Sequence, residues 1–262
     1  MGKLREVASV LKDFLEVAPV LATFKPPKDD EAISMGLVFQ QTAEKYPDKS
    51  AIIFEGKELT WSQFNALVNK FAHLLKHQGV KRGDTVALLM DNRIEMLAST
   101  LGLAKIGATV ALINNSLRGK SLAHCIAIAE SKKCIVGDEL VDAIDEVKKD
   151  LSLADDDYFW VQDLGVKTAP KWMFDFSAQV DSKPVYNPRE TVDIKAGEKA
   201  LYIFTSGTTG LPKAAVIYHR RYLSAAIPYS KAGFRAKPSD RMYICLPLYH
   251  FTGLGPGFGS AL

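Results

Sequence analysis

Apolar positions along this chain fall into two alternating spacings. Short unbroken apolar runs at 85–90, 109–113, 133–136 and 201–204 have the length of strands buried on both faces. Between them the spacing turns helical. Phe64, Leu67, Phe71, Leu74 and Leu75 form one stripe, which Thr60 and Gln63 open as a capping box and Gly79 closes. Further helices are predicted over 93–106, 120–130, 139–150 and 219–232. Strands are predicted at 214–218 and 241–245, and a small hairpin joins 51–54 to 58–60 across Glu55-Gly56-Lys57. Strands that alternate with helices predict an α/β fold, a mostly parallel sheet with helices on its faces. Residues 164–198 carry Pro170, Pro184 and Pro188 with little periodicity and read as a long irregular connection. Within it Trp172, Phe174 and Phe176 alternate, for which core packing is preferred to a lipid-binding surface.

The first 30 residues read separately from the body at 31–262. Leu4, Val7, Ala8, Leu11, Phe14, Leu15 and Ala18 share one helical face, and Lys25-Pro26-Pro27-Lys28 follows as a linker. The polar face is not strongly basic. Docking on the protein's own body is therefore preferred to peripheral membrane contact through residues 4–18, which stays open. No apolar stretch reads as a membrane span or secretory signal. With 47% hydrophobic residues the chain can bury a large core, and its 33 basic and 30 acidic residues are interspersed, which argues against nucleic acid as a partner. Cys125, Cys134 and Cys245 have no metal-type spacing and fit buried thiols in a reducing, intracellular compartment.

Candidate chemistry concentrates at one place. The apolar run holding Tyr202, Ile203 and Phe204 empties into Thr205, Ser206, Gly207, Thr208, Thr209, Gly210, Leu211, Pro212 and Lys213. Hydroxyls and bare amides there can surround phosphate oxygens, the two glycines let the backbone approach closely, and Lys213 adds a compact positive charge. Walker A is excluded, because Pro212 precedes the lysine and Ala214 follows it. Gly253, Gly255, Gly257 and Gly259 have the wrong spacing for a dinucleotide fingerprint and read as a turn entering a helix. An ordinary flexible loop is the plain alternative for the Thr/Ser/Gly run.

At Thr205–Lys213 the chain resembles the AMP-forming acyl-CoA synthetase (adenylate-forming) superfamily, whose phosphate loop has this pattern. Leu246-Pro-Leu-Tyr-His250 is similar to a second family segment. Ala111-Leu-Ile-Asn-Asn-Ser-Leu-Arg118 with Leu122-Ala-His-Cys125 resembles the very-long-chain fatty acid–CoA ligase or fatty acid transport branch. The resemblance implies a two-step reaction. A long- or very-long-chain fatty acid attacks ATP to give an acyl-adenylate and pyrophosphate; coenzyme A then displaces AMP, with Mg²⁺ sharing the charge. It further implies that the loop holds ATP, that Lys213 and His250 serve the reaction, and that Tyr249 and His250 border the substrate. For His250 a carboxylate-polarising role and a hydrogen-bonded structural role stay open. His73, His77, His124 and His219 are expected on the surface or in packing, and Asn114 and Arg118 as links between loops. Location at the endoplasmic reticulum, peroxisome or plasma membrane is left open.

The resemblance runs from Leu37 to the last residue and implies an incomplete N-terminal domain. The family's magnesium-binding Thr-Glu motif, ribose-holding aspartate and C-terminal lid domain lie further on, so the chain is expected to be inactive alone. A non-catalytic nucleotide- or lipid-binding module, or a membrane-associated uptake protein, is the alternative.

Overall fold

The computed structural model describes residues 2–163, 165, 167–205 and 210–262. The expected hairpin is present as β1 (Ser50–Phe54) paired antiparallel with β2 (Lys57–Thr60). The main sheet contains β3 (Thr85–Leu89), β4 (Thr109–Leu112), β5 (Lys133–Gly137), β6 (Tyr158–Val161), β7 (Phe174–Asp175), β8 (Lys199–Thr205) and β9 (Lys213–Tyr218). Their order is β7-β6-β5-β3-β4-β8-β9, and every pair is parallel except β8 with β9. The α/β expectation therefore holds.

The helices are α1 (Gly2–Thr23), α2 (Met35–Lys45), α3 (Trp61–His77), α4 (Ile94–Lys105), α5 (Gly119–Ile128), α6 (Val141–Val147), α7 (Phe176–Val180) and α8 (His219–Pro228). Alternation along β3 divides the core. Val86 and Leu88 face a cluster with Phe39, Phe64, Phe71 and Leu101 of α2, α3 and α4. Ala87 and Leu89 face a second cluster with Leu122, Ile126 and Ile144 of α5 and α6. Both faces are covered, which is why these strands read as continuous apolar runs. Thr60 and Gln63 close the capping box on α3, and Gly79 takes φ +84 just beyond it.

Sequence reasoning missed α2 and β6. It also expected 164–198 to be irregular, whereas β7 and α7 lie inside it. The rest of that connection is laced to α3 by Lys70–Asp181, Asn69 Nδ2 to the Val185 carbonyl, His73 to the Tyr186 carbonyl and Lys76–Glu190. Phe176 is buried, Phe174 packs on the first cluster and Trp172 on the second, as core packing requires.

Residues 241–245 form no strand, and Tyr243 there is 90% exposed. Among the described residues β9 pairs only with β8, so this apolar stretch joins no ladder. The glycine series is itself helical, with Gly253–Gly257 in π-turns and Phe258–Ala261 in a 3₁₀ turn. Cys125 and Cys134 are buried, their thiols pushed up to about 11 and about 12 by desolvation, but Cys245 is exposed because its segment lies outside the sheet.

No described helix is long and apolar enough to cross a membrane. In α1, Asp13 pairs with Arg235 at 2.7 Å, which ties the helix to the body, while Phe14, Leu15 and Leu21 stay exposed. The side chains of Leu4, Val7, Ala8 and Leu11 lie outside the described residues.

Candidate nucleotide site

β8 is the fulcrum of the site. It pairs in parallel with β4 through Val110–Leu201, Ala111–Tyr202 and Leu112–Ile203, so its carboxyl end sits beside that of β4. On its other side it pairs antiparallel with β9, from Lys199–Tyr218 out to Thr205–Lys213. Thr205 and Lys213 are thus cross-strand partners at the mouth of a hairpin. Residues that stand eight apart in sequence become neighbours, because partners on adjacent strands lie about 5 Å apart. Ser206, Gly207, Thr208 and Thr209 lie outside the described residues.

The described ends of the segment differ. Ile203 and Phe204 are buried, one on each face of the sheet. Tyr202 packs on the second cluster, and its hydroxyl accepts from Lys199 Nζ at 3.2 Å, which pushes the lysine's pKa up. Thr205 and Gly210 are exposed, and Gly210 takes φ +91, a conformation that only glycine adopts without strain. Leu211 and Pro212 are half-buried. Lys213 is exposed and forms no ion pair among the described residues, so its charge faces outward from the hairpin mouth.

The second segment reaches the same side of the sheet by a different route than expected. Asn92 follows the carboxyl end of β3 and holds 246–248 on both sides. Its Nδ2 donates to the Leu246 carbonyl at 3.0 Å and its Oδ1 accepts from the Leu248 amide at 2.8 Å. The carboxyl ends of β3, β4 and β8 are consecutive in the sheet, and ligands of open parallel sheets collect along that edge. Tyr249 and His250 follow, their ring centroids 4.6 Å apart, with Tyr249 half-buried and His250 exposed.

Among the remaining histidines, His219 is fully buried and its Nδ1 accepts from the Met35 amide at 3.3 Å; desolvation pushes its pKa down to about 4. His73 holds the 164–198 connection and His77 is exposed. Asn114 accepts from the Ser116 amide and hydroxyl, and Arg118 donates to the carbonyls of Asn115 and Leu117, so both brace their own loop. His124 is the exception to expectation. Its Nε2–H donates to the Pro212 carbonyl at 3.0 Å, which ties it to the Thr205–Lys213 segment. Nothing in its sequence neighbourhood signals this, since the two residues stand 88 apart.

A cavity of about 660 Å³ lies elsewhere. It opens between the β1–β2 hairpin, residues 236–248 and the last helical turn, with Lys45, Lys49 and Lys237 in its lining. Asn92 and Leu248 border it, but no described residue from Tyr202 to Lys213 does, nor do Tyr249 and His250.

The AMP-binding enzyme family model matches residues 39–262. The medium/long-chain-fatty-acid–CoA ligase FadD6 of Mycobacterium tuberculosis is 34% identical over 229 residues, covering 87% of this chain and 36% of that protein. The long-chain fatty acid transport protein 6 of Mus musculus is 38% identical over 225 residues, covering 86% and 36%. The chain thus spans about a third of the length of these curated relatives. Among solved structures, the anthranilate CoA ligase AuaEII in complex with anthranoyl-AMP superposes with TM-score 0.77 at 20% identity, over 88% of this chain and 44% of that one. The N-terminal domain of FACL13 from Mycobacterium tuberculosis gives 0.69 at 25% identity, over 87% and 55%.

Proposed function

Because the chain belongs to the AMP-binding enzyme family, we propose that it supplies the ATP-cradling part of an AMP-forming fatty acid–CoA ligase. The observation that carries this reading is the Thr205–Lys213 pairing at the mouth of the β8–β9 hairpin, with an outward lysine charge beside a run of hydroxyls and amides. A fatty carboxylate attacking the α-phosphorus of ATP brings two anions together. Fixed donors and a positive charge at the phosphates therefore lower the barrier, without a covalent nucleophile. The P–O bond to the pyrophosphate leaving group breaks as the acyl–O–P bond forms. In the second half-reaction the thiol of coenzyme A adds to the acyl carbon and AMP leaves with the bonding pair.

In this reading Thr205 to Gly210 hold β/γ-phosphate oxygens, Lys213 neutralises them, and Tyr249 and His250 border the acyl-adenylate. Magnesium would share the phosphate charge, held largely by the phosphate oxygens themselves, and is given no residue of this chain. The fatty acid class is supported by the names of the relatives, a medium/long-chain-fatty-acid–CoA ligase and long-chain fatty acid transport proteins.

Equilibrium titration with ATP tests the nucleotide half of the proposal, and fatty-acid-dependent ATP–pyrophosphate exchange the other. Saturable ATP binding that pyrophosphate displaces is expected of this chain, and exchange stimulated by long-chain acids over benzoate once it is joined to the lid domain that the family supplies. A flat ATP titration overturns the reading.

A second reading, contact with a lipid surface through α1, is favoured by one observation: Phe14 and Leu15 are 65% and 63% exposed. Vesicle co-sedimentation that Phe14→Ser and Leu15→Ser leave unchanged would remove it.

A further inference from the structure

We propose that His124 is a positioning residue for the phosphate segment, fixing the Pro212 end so that Lys213 meets the bound polyphosphate. The inference rests on the nucleotide reading of that segment. Four observations carry it. His124 Nε2 lies 3.0 Å from the Pro212 carbonyl oxygen, so the ring donates its Nε2–H there. Pro212 immediately precedes Lys213, which is the first residue of β9 and the ladder partner of Thr205, so this hydrogen bond acts one residue from the charge.

The anchor is also packed against the core at both ends. On α5 the neighbours of His124, Leu122, Cys125 and Ile126, are buried in the second core cluster. Phe204 belongs to that same cluster, and Tyr202 and Ala214 pack against it. Helix and hairpin stem thus share one packed body, and the His124 hydrogen bond reaches from it to the exposed side of the segment. Finally, among the described residues β9 has a ladder on one side only, and strands held on one side fray most easily at their ends. A side-chain donor from another element supplies what a second neighbouring strand would.

The test compares the wild-type chain with His124→Ala and His124→Gln, the glutamine placing an amide N–H near the position of Nε2. ATP affinity is expected to fall about fivefold in the alanine variant, as loss of one hydrogen bond implies, and to recover within about twofold in the glutamine variant. Melting temperatures should stay together, because a half-buried ring on the helix surface is changed and no core position is. Equal affinity in all three proteins overturns the proposal, as does an equal loss in both variants, which would mark His124 as a packing residue. Hydrogen exchange at the Lys213 and Ala214 amides, measured without nucleotide, separates the two claims. Faster exchange in the alanine variant alone supports positioning even if wild type binds no ATP, and in that case only the nucleotide reading fails. Unchanged exchange in every variant counts against positioning itself.

Discussion

Lys105 Nζ lies 2.6 Å from Asn69 Oδ1, inside a cage completed by Asn65 Oδ1 and Asn187 Oδ1, each at 2.7 Å. The ammonium is fully buried at the end of α4, where it joins α3 to the long connection before β8. Burial pushes its pKa down to about 7, with the charge of Glu44 opposing. Three amide oxygens replace the water that a lysine ammonium demands.

Lys105→Met tests that cage. The thioether fills a similar volume but leaves Asn65 and Asn69 Oδ1 without a donor, which costs about 2 kcal/mol. Urea denaturation should show a lower midpoint with unchanged slope. Between about 7 and the ordinary lysine value the unfolded chain holds a proton that the folded chain releases, so wild type gains on the variant as pH rises. A variant as stable as wild type at every pH would show that the cage contributes nothing.

His219 sets an acid limit. Its folded pKa is pushed down to about 4 by burial, so below about 6.5 the unfolded chain takes up a proton that the folded chain refuses. Stability is therefore lost as pH falls from about 6.5 towards 4, by on the order of 2–3 kcal/mol for this residue. His219→Asn keeps an acceptor near Nδ1 for the Met35 amide and removes the titration. Its denaturation midpoint should vary less than wild type's between pH 7 and pH 5; an equal fall in both would assign acid sensitivity to other groups.

Gly36 marks where α2 crosses α4. A Cβ there would sit 2.9 Å from the Lys105 amide nitrogen and 3.0 Å from the Ala104 carbonyl, both backbone atoms. In an exposed helix glycine to alanine gains about 1 kcal/mol; here overpacking costs about 1–3 kcal/mol instead. Gly36→Ala should lower the melting temperature. A rise would mean that the helices separate freely.

Much of this was legible in the sequence, for physical reasons. Strands β3, β4, β5 and β8 are buried on both faces, which forces unbroken apolar runs, and Thr60 with Gln63 announces α3 by its own hydrogen bonds. Helix α2 escaped notice because its buried residues include Gly36, Gln40 and Thr42, which blur the apolar stripe. The four residues of β6 follow a run of aspartates and are too short to show a period. Residues 241–245 have strand composition without a strand, because sheet pairing is a property of neighbours and no ladder reaches them. In the candidate site, the pattern around Lys213 stood out because its residues are consecutive in the chain. The Asn92 clamp and the His124 tether did not, because each joins residues far apart in the chain.

The central claim is that the hairpin mouth at Thr205 and Lys213 holds the triphosphate. Acyl-phosphate derivatives of ATP transfer their acyl group to a lysine lying beside the bound phosphates, and peptide mass spectrometry then identifies it. Modification of Lys213 is expected, blocked by excess ATP and absent from Lys213→Ala, with that variant melting as wild type does. ATP-protected modification of Lys45, Lys49 or Lys237, in the lining of the 660 Å³ cavity, with Lys213 untouched, would contradict the account.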